Sequence, residues 1–308
     1  MSEKVVVTGG AGFIGSHLVD HLLAHTAMHV VVFDNFSRGH RANLIRHRSE
    51  RRLQIAEGEV RDFDALRSVM RGARVVYHLA AQSGPVERPD NLKVLHTNVV
   101  GTFHVLRAAT EMGIEHLVFA SAGDVYGEPI ELPVEEAHPL LPLSLFGASK
   151  AAGEVYCRAF RQTFGLRCSV LRFANVYGPR DSSDVIPLWL RQAESGENLR
   201  VYGSKQILDF VWIDQAVEAL ARVIALDAPA PPINVASGTG TPVMDIARRI
   251  LRLHGGQAQI QVLPPHAQAP VRFVASVDRM KQLLELQPPL DPLSHLPMLI
   301  PVRTGAHV

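Results

Sequence analysis

Val5-Val-Val-Thr-Gly-Gly-Ala-Gly-Phe-Ile-Gly15 is the stretch that decides the fold. A β-branched run suited to a buried strand passes into glycines and then into the amphipathic segment Phe13 to Ala24, in the order strand, turn, helix. Gly9, Gly12 and Gly15 allow a tight turn, close approach of an anion to the backbone, and tight packing of helix on strand. The helix opens at Phe13 and Ile14, and the N–H groups of such a terminus have no partner within the helix and can face an anion. This is the cradle of a pyrophosphate. Nineteen positions after Gly15 stands Asp34, closing a second apolar run, His29-Val-Val-Val-Phe33. A carboxylate at the tip of the second strand accepts hydrogen bonds from a ribose 2′-hydroxyl and repels a 2′-phosphate, which favours NAD over NADP.

Working outward, short Val/Ile/Leu-rich runs keep alternating with helical patterns. Strands are predicted at Lys4 to Thr8, His29 to Asp34, Leu53 to Ala56, Arg74 to Leu79, His116 to Ser121 and Arg167 to Phe173. That alternation implies an α/β fold, a doubly wound parallel (Rossmann) sheet covered on both faces. Asp62 is expected to cap the helix after the third strand. Long helices are predicted at Thr97 to Met112, with Asn98 facing the carboxyl edge of the sheet, and at Ser144 to Phe164. The irregular run Ala80 to Pro89 should line a cleft.

After Phe173 the elements shorten and glycine and proline become frequent. Helices are expected at Val185 to Ser195, Asp214 to Leu226 and Thr241 to His254, with extended segments at Leu199 to Tyr202 and Leu208 to Ile213. The expected division is a cofactor domain over residues 1–173 and a smaller mixed α/β substrate lobe over 174–308, some segments of which return to the main sheet. The tail from Gln287 carries five prolines and should be mostly irregular.

Composition narrows the function. The formal net charge is +1 over 308 residues, so no basic footprint for nucleic acid is indicated. Two cysteines, Cys157 and Cys168, cannot form a disulfide framework or a metal cluster, and point to a reducing cytoplasm. The first strand begins too early to leave room for a signal peptide, and no apolar run approaches the roughly 20 residues of a membrane span.

Further motifs carry a resemblance that extends from Val5 to about Leu286. They are Asp34-Asn-Phe-Ser37, Gly58-Glu-Val-Arg-Asp62, His78-Leu-Ala-Ala81, Thr97-Asn-Val-Val-Gly-Thr102, Asp124-Val-Tyr-Gly127, Gly147-Ala-Ser-Lys150, Arg172-Phe-Ala-Asn-Val-Tyr-Gly-Pro-Arg180 and Asp209-Phe210. Together with the glycine turn they resemble the extended short-chain dehydrogenase/reductase family, in its NAD-dependent nucleotide-sugar epimerase and dehydratase branch. The resemblance implies a 4-epimerase-like enzyme acting on a nucleoside diphosphate sugar. It places Asn35, Ser37, Arg38 and Gly39 with Asp34 at the cofactor, Glu59 and Val60 at the adenine, and Leu79, Ala80, Ala81, Asn98, Phe173 and Val176 along the cofactor. Lys150 would hold the nicotinamide ribose. Gln82, Asn175, Val185, Tyr202 and Arg272 would contact the sugar nucleotide. It also implies a homodimer, formed by packing the helices of Asn98 and Lys150 into a four-helix bundle.

Three positions depart from the family pattern. Phe146 stands four residues before Lys150, where relatives carry the Tyr that takes the sugar hydroxyl proton. Ala122 stands at the usual helper Ser or Thr, with Ser121 one residue earlier, and Leu208 replaces an Arg that grips phosphate. A phenyl ring cannot accept a proton, and general acid–base catalysis supplies about 10²–10⁴-fold. Asp124 is the first candidate to substitute, with Lys150 and Ser121 behind it; His78 and Tyr126 read as structural. Two functions follow from this pattern: an epimerase or dehydratase with a rearranged acid–base set, or a binding protein that keeps NAD and a nucleotide without turnover. Leu208 also leaves open a different substrate.

Overall fold

The computed structural model describes residues 3–83, 92–182, 184–228, 230–265 and 271–300. Part of the expected cleft loop, Gly84 to Pro89, lies outside these residues.

The glycine stretch folds as β1 (Lys4–Thr8), a turn, and α1 (Phe13–His25). β2 (His29–Asp34), β3 (Leu53–Glu57), α2 (Phe63–Met70) and β4 (Val75–His78) follow. A one-turn α3 (Leu92–Val94) runs through a π-helical segment, Leu95–Val100, into α4 (Gly101–Glu111), so the long helix expected over Thr97 to Met112 is π-helical around Asn98 and turns α-helical at Gly101. β5 (His116–Ala122), α5 (Leu145–Phe164) and β6 (Cys168–Phe173) complete the first half. The second half contains β7 (Asn175–Tyr177), α6 (Val185–Glu194), β8 (Leu199–Tyr202), β9 (Ile207–Trp212), α7 (Ile213–Val223), β10 (Ile233–Val235), β11 (Gly240–Pro242), α8 (Val243–His254), β12 (Ile260–Leu263) and α9 (Asp278–Leu284).

Seven strands form one sheet in the order β10-β6-β5-β4-β1-β2-β3, every pair parallel. β1 and β4 are buried along nearly their whole length, which is why they read as continuous Val runs and not as alternation. The order reverses beside β1, with β2 on one side and β4 on the other; ligands of such sheets bind at this crevice, beyond the strand carboxyl ends. β10 comes from the second half and pairs with β6, Ile233 opposite Leu171. The remaining short strands form two small sheets, β11-β9-β7 and β12-β8.

Local chemistry sets several boundaries. Asp62 caps α2 by accepting from Ala65 N–H at 3.0 Å. Ser144 caps α5 by accepting from Gly147 N–H at 3.0 Å, and the helix stops at Gly165, whose φ of 73° only glycine adopts cheaply. A 3₁₀ segment, Arg41–His47, follows β2 and was not anticipated from the residues. Thr241 belongs to β11, so α8 begins two residues after the expected start. Among the described residues, no helix is long and apolar enough to cross a membrane.

Candidate functional site

A cavity of about 670 Å³ opens over the carboxyl end of the sheet, within the range of small-molecule sites. Its first wall is the glycine turn. Gly9 has φ 72°, and a Cβ there would lie 2.7 Å from Ala80 N; a Cβ on Gly15 would collide with the Gly9 carbonyl oxygen. Gly12 differs: a Cβ there meets only Gly9 O, at 3.2 Å, and its other side is open to the cavity. No side chain caps α1 at Gly12 and no acidic residue occupies its first turn, so the N–H groups of Phe13 and Ile14 are left for a ligand on the cavity side.

Asp34 forms the next wall and is buried. Its Oδ2 accepts from Ala11 N–H at 2.9 Å and its Oδ1 from Phe36 N–H at 2.8 Å, which fixes the carboxylate while leaving lone pairs for ribose hydroxyls. Asn35, Ser37, Arg38 and Gly39 line the same side. Val60 reaches the cavity, but Glu59 does not; its Oε1 accepts from Asn35 Nδ2 at 2.9 Å and so steadies a lining residue. Leu79, Ala80, Ala81 and Gln82 follow β4 along the floor. Asn98 is buried beneath them: its Oδ1 accepts from Gln82 N–H at 2.7 Å, and its Nδ2 donates to Gln82 O and Ser149 Oγ, both at 2.9 Å. The altered pitch around Asn98 thus brings one amide to both the β4 loop and α5.

The far end holds Lys150 and Phe146 from α5, Asp124 from the turn after β5, and Phe173, Asn175 and Val176 from β6 and β7. Lys150 is buried, its Nζ donating to Ala120 O at 2.7 Å. The ammonium lies 5.1 Å from the ring centre of Phe119 and 5.7 Å from that of Phe146. Burial lowers its pKa to about 8, against the pull of Asp124, Cys157 and Glu154. Asp124 is itself exposed to the cavity, yet desolvation by the surrounding protein raises it above the ordinary carboxylate range, opposed by its own backbone N–H and by Lys150. Beyond its own backbone N–H, the Asp124 carboxyl faces the cavity, where a ligand can reach it.

Ser121 departs from the role expected of it. Its Oγ donates to Glu154 Oε1 at 2.5 Å, and Glu154 is in turn gripped by Arg172 through Nη2 at 2.6 Å and Nε at 2.9 Å. A hydroxyl committed to a buried carboxylate is a poor proton relay, so Ser121 belongs to the support under the site. His78 is also structural: burial drives its pKa to about 3, and its ring nitrogens meet Thr8 Oγ1 at 2.8 Å and Thr102 Oγ1 at 2.9 Å. Tyr126 donates to Asn234 Oδ1 at 2.7 Å.

The substrate residues are less gathered. Gln82 and Asn175 line the cavity, the latter donating from Nδ2 to Asp209 O at 2.8 Å. Val185, Tyr202 and Arg272 are not in its wall, although their neighbours Asp184 and Phe273 are. Asp184, Asp181, Gln206 and Phe273 were not singled out by sequence, because tertiary folding alone brings them here, and Arg180, quoted only as the end of a motif, also lines the wall. Asp184 is exposed at the cavity, yet desolvation by the surrounding protein, then the charges of Asp181 and Asp124, raise its pKa to about 7, with Arg38 opposing. Behind Leu208, Asp209 is fully buried and accepts from Ser237 N–H and Oγ, Gly238 N–H and Ala275 N–H at 2.5 to 3.2 Å. Among the described residues no group of three His, Cys, Asp or Glu could hold a metal ion.

An open Gly12, uncapped helix N–H groups and a fixed Asp34 carboxylate fit a dinucleotide with free ribose hydroxyls. A family model described as "NAD dependent epimerase/dehydratase family" matches residues 5–236. A putative UDP-glucose 4-epimerase of Methanocaldococcus jannaschii is 34% identical over 254 residues, covering 79% of each chain. The dTDP-glucose 4,6-dehydratase of Streptomyces venezuelae, solved with NAD bound, superposes with TM-score 0.90 at 29% identity over 96% of this chain and 95% of that one. A UDP-glucuronic acid 4-epimerase of Bacillus cereus, solved as a Tyr-to-Phe variant with UDP-4-deoxy-4-fluoro-glucuronic acid and NAD, gives TM-score 0.88 at 27% identity over 94% and 95%. With the cradle, the sheet and these relatives in agreement, the chain belongs to the NAD-dependent epimerase/dehydratase family, and NAD is the cofactor of its cradle.

Proposed function

We propose that this protein is a nucleotide-sugar epimerase of the 4-epimerase type, acting on a nucleoside diphosphate hexose by transient oxidation, with Asp124 and Lys150 in place of the family phenol. The observation that carries this reading is the placement of Asp124 and the buried Lys150 in the same cavity as the glycine cradle. Residues 1–173 would hold the cofactor and 174–308 most of the sugar nucleotide.

NAD, when bound, supplies the acceptor for a hydride from the sugar carbon and its return. Asp124 takes the proton of the reacting hydroxyl onto a carboxylate oxygen and gives it back when the carbonyl is reduced. Its raised pKa makes it a stronger base than a solvated carboxylate. Lys150, held by Ala120 O, stays protonated below about pH 8 and balances the charge that develops on the substrate oxygen. Phe146 and Phe273 contribute apolar wall, which restricts water at the reacting oxygen. Incubation with UDP-, GDP- and dTDP-hexoses, followed by chromatography of the sugars, tests the reading. A new epimer from one of them supports it, and unchanged sugars throughout contradict it.

A homodimer through the α4 and α5 helices is part of this proposal. Phe103, Val155, Tyr156 and Phe164 are exposed apolar residues of these two helices, and the Phe103 ring meets those of Tyr156 and Phe160, at 5.6 Å in both cases. Sedimentation of Tyr156→Glu tests it: dissociation to monomers is expected, and an unchanged mass argues against the bundle. A cytoplasmic setting is supported by the two free, buried thiols, Cys157 and Cys168.

A further inference from the structure

Arg180 joins the sugar side of the cavity to the helix that carries the cradle. Its guanidinium donates to Ser16 Oγ at 3.0 Å and to Asp20 Oδ2 at 2.6 Å, both on α1. Ser16 is fully buried, and its N–H closes on the carbonyl of Gly12, the open glycine of the cradle. Arg180 has φ 67°, a left-handed backbone that a side chain with a Cβ seldom adopts. Asp20 has only 9% of its surface exposed and receives two more donors, Arg46 Nε and His47 Nε2, each at 2.7 Å, from the 3₁₀ segment after β2. One carboxylate therefore fastens three separate segments: α1, residues 41–47 and the loop after β7.

That loop is part of the site. Arg180, Asp181, Ser182 and Asp184 all line the same cavity as the cradle. Charge-assisted hydrogen bonds to a nearly buried carboxylate are short and strong, and a forked guanidinium fixes orientation as well as distance. We propose that Asp20 and Arg180 are positioning residues: they strap the loop of Arg180, Asp181 and Ser182 to α1 and so set the spacing between the cofactor cradle and the sugar-nucleotide side of the cavity. The identity of the second ligand rests on the functional reading above, whereas the strap itself does not.

The test uses the NAD-loaded protein and its Arg180→Gly, Arg180→Lys and Asp20→Asn variants. Arg180→Gly keeps the left-handed backbone accessible and removes the strap together with one cationic wall residue, and Asp20→Asn weakens the strap without touching the wall; Arg180→Lys keeps the charge without the fork. The first readout is affinity for UDP-glucose against affinity for NAD. Arg180→Gly is expected to weaken UDP-glucose about tenfold more than NAD, with Arg180→Lys between it and wild type. The second is amide hydrogen exchange over residues 178–182, expected to accelerate in Arg180→Gly and Asp20→Asn whatever the sugar. The double variant Asp20→Asn/Arg180→Gly should exchange little faster over 178–182 than Arg180→Gly alone, since the only bond of that loop to Asp20 is already lost with Arg180. Unchanged exchange, equal losses for both ligands, or fully additive effects would overturn the strap. Wild-type protein that fails to bind UDP-glucose while the variants still exchange faster would count against the substrate reading and leave the strap standing.

Discussion

The two ends of the cavity are built on different principles. The cofactor end is mostly backbone: the Gly9 to Gly15 turn, the uncapped N–H groups of α1, and one carboxylate, Asp34, fixed by Ala11 and Phe36. The sugar end is made of side chains brought from α5, the β5 turn and the loop after β7, and it holds Phe146, Ala122 and Leu208, the positions expected from the sequence to differ from the family pattern. A backbone cradle tolerates few substitutions and keeps its sequence signature. Chemistry carried by two or three side chains can shift to other groups while the fold stays the same.

The largest effect should come from breaking the cofactor end. Gly15→Ala puts a methyl onto the Gly9 carbonyl, and the protein should lose NAD retention, with affinity down about 100-fold or more in a binding titration. Full retention would show that the turn is not the cradle. Lys150→Met attacks the other end: turnover should fall about 10²-fold in an epimerisation assay, and the fall of the wild-type rate above about pH 8 should vanish with it.

The same lysine gives a stability signature. Its pKa is about 8 in the folded state against 10.5 unfolded, so between those values the native state binds fewer protons than the unfolded one, and stability rises with pH. Denaturant melts of wild type relative to Lys150→Met should therefore gain about 3 kcal/mol from pH 8 to 10.5, and a flat difference would mean that Lys150 is not desolvated. A smaller effect is expected from Phe146→Tyr. A phenol at this point, one helical turn from Lys150, should raise turnover about tenfold by sharing the proton transfer with Asp124. A drop would show that the apolar ring is itself required.

How far the sequence could be read follows the same division. Asp34, the glycines and the parallel strands were legible because their signals are local: fixed spacing, β-branched runs, a carboxylate at a strand tip. Asp184 and Phe273 were not, since the chain returns to the cavity long after the motifs that open it. Ser121 looked available because the sequence cannot reveal that Glu154, on the neighbouring helix, has taken its hydroxyl. The π-helical pitch around Asn98 and the 41–47 segment were missed for a related reason, their geometry being set by what they touch, Gln82 and Ser149 in one case and Asp20 in the other.

The most direct measurement is conversion of UDP-glucose to UDP-galactose by the NAD-loaded protein, compared with Asp124→Asn. Wild type should convert the sugar, and Asp124→Asn should lose about 10²-fold or more in rate while keeping its NAD. Conversion by Asp124→Asn at the wild-type rate would contradict Asp124 as the group that moves the proton. A wild-type protein that stays silent until Phe146→Tyr restores turnover would contradict a working rearranged site altogether.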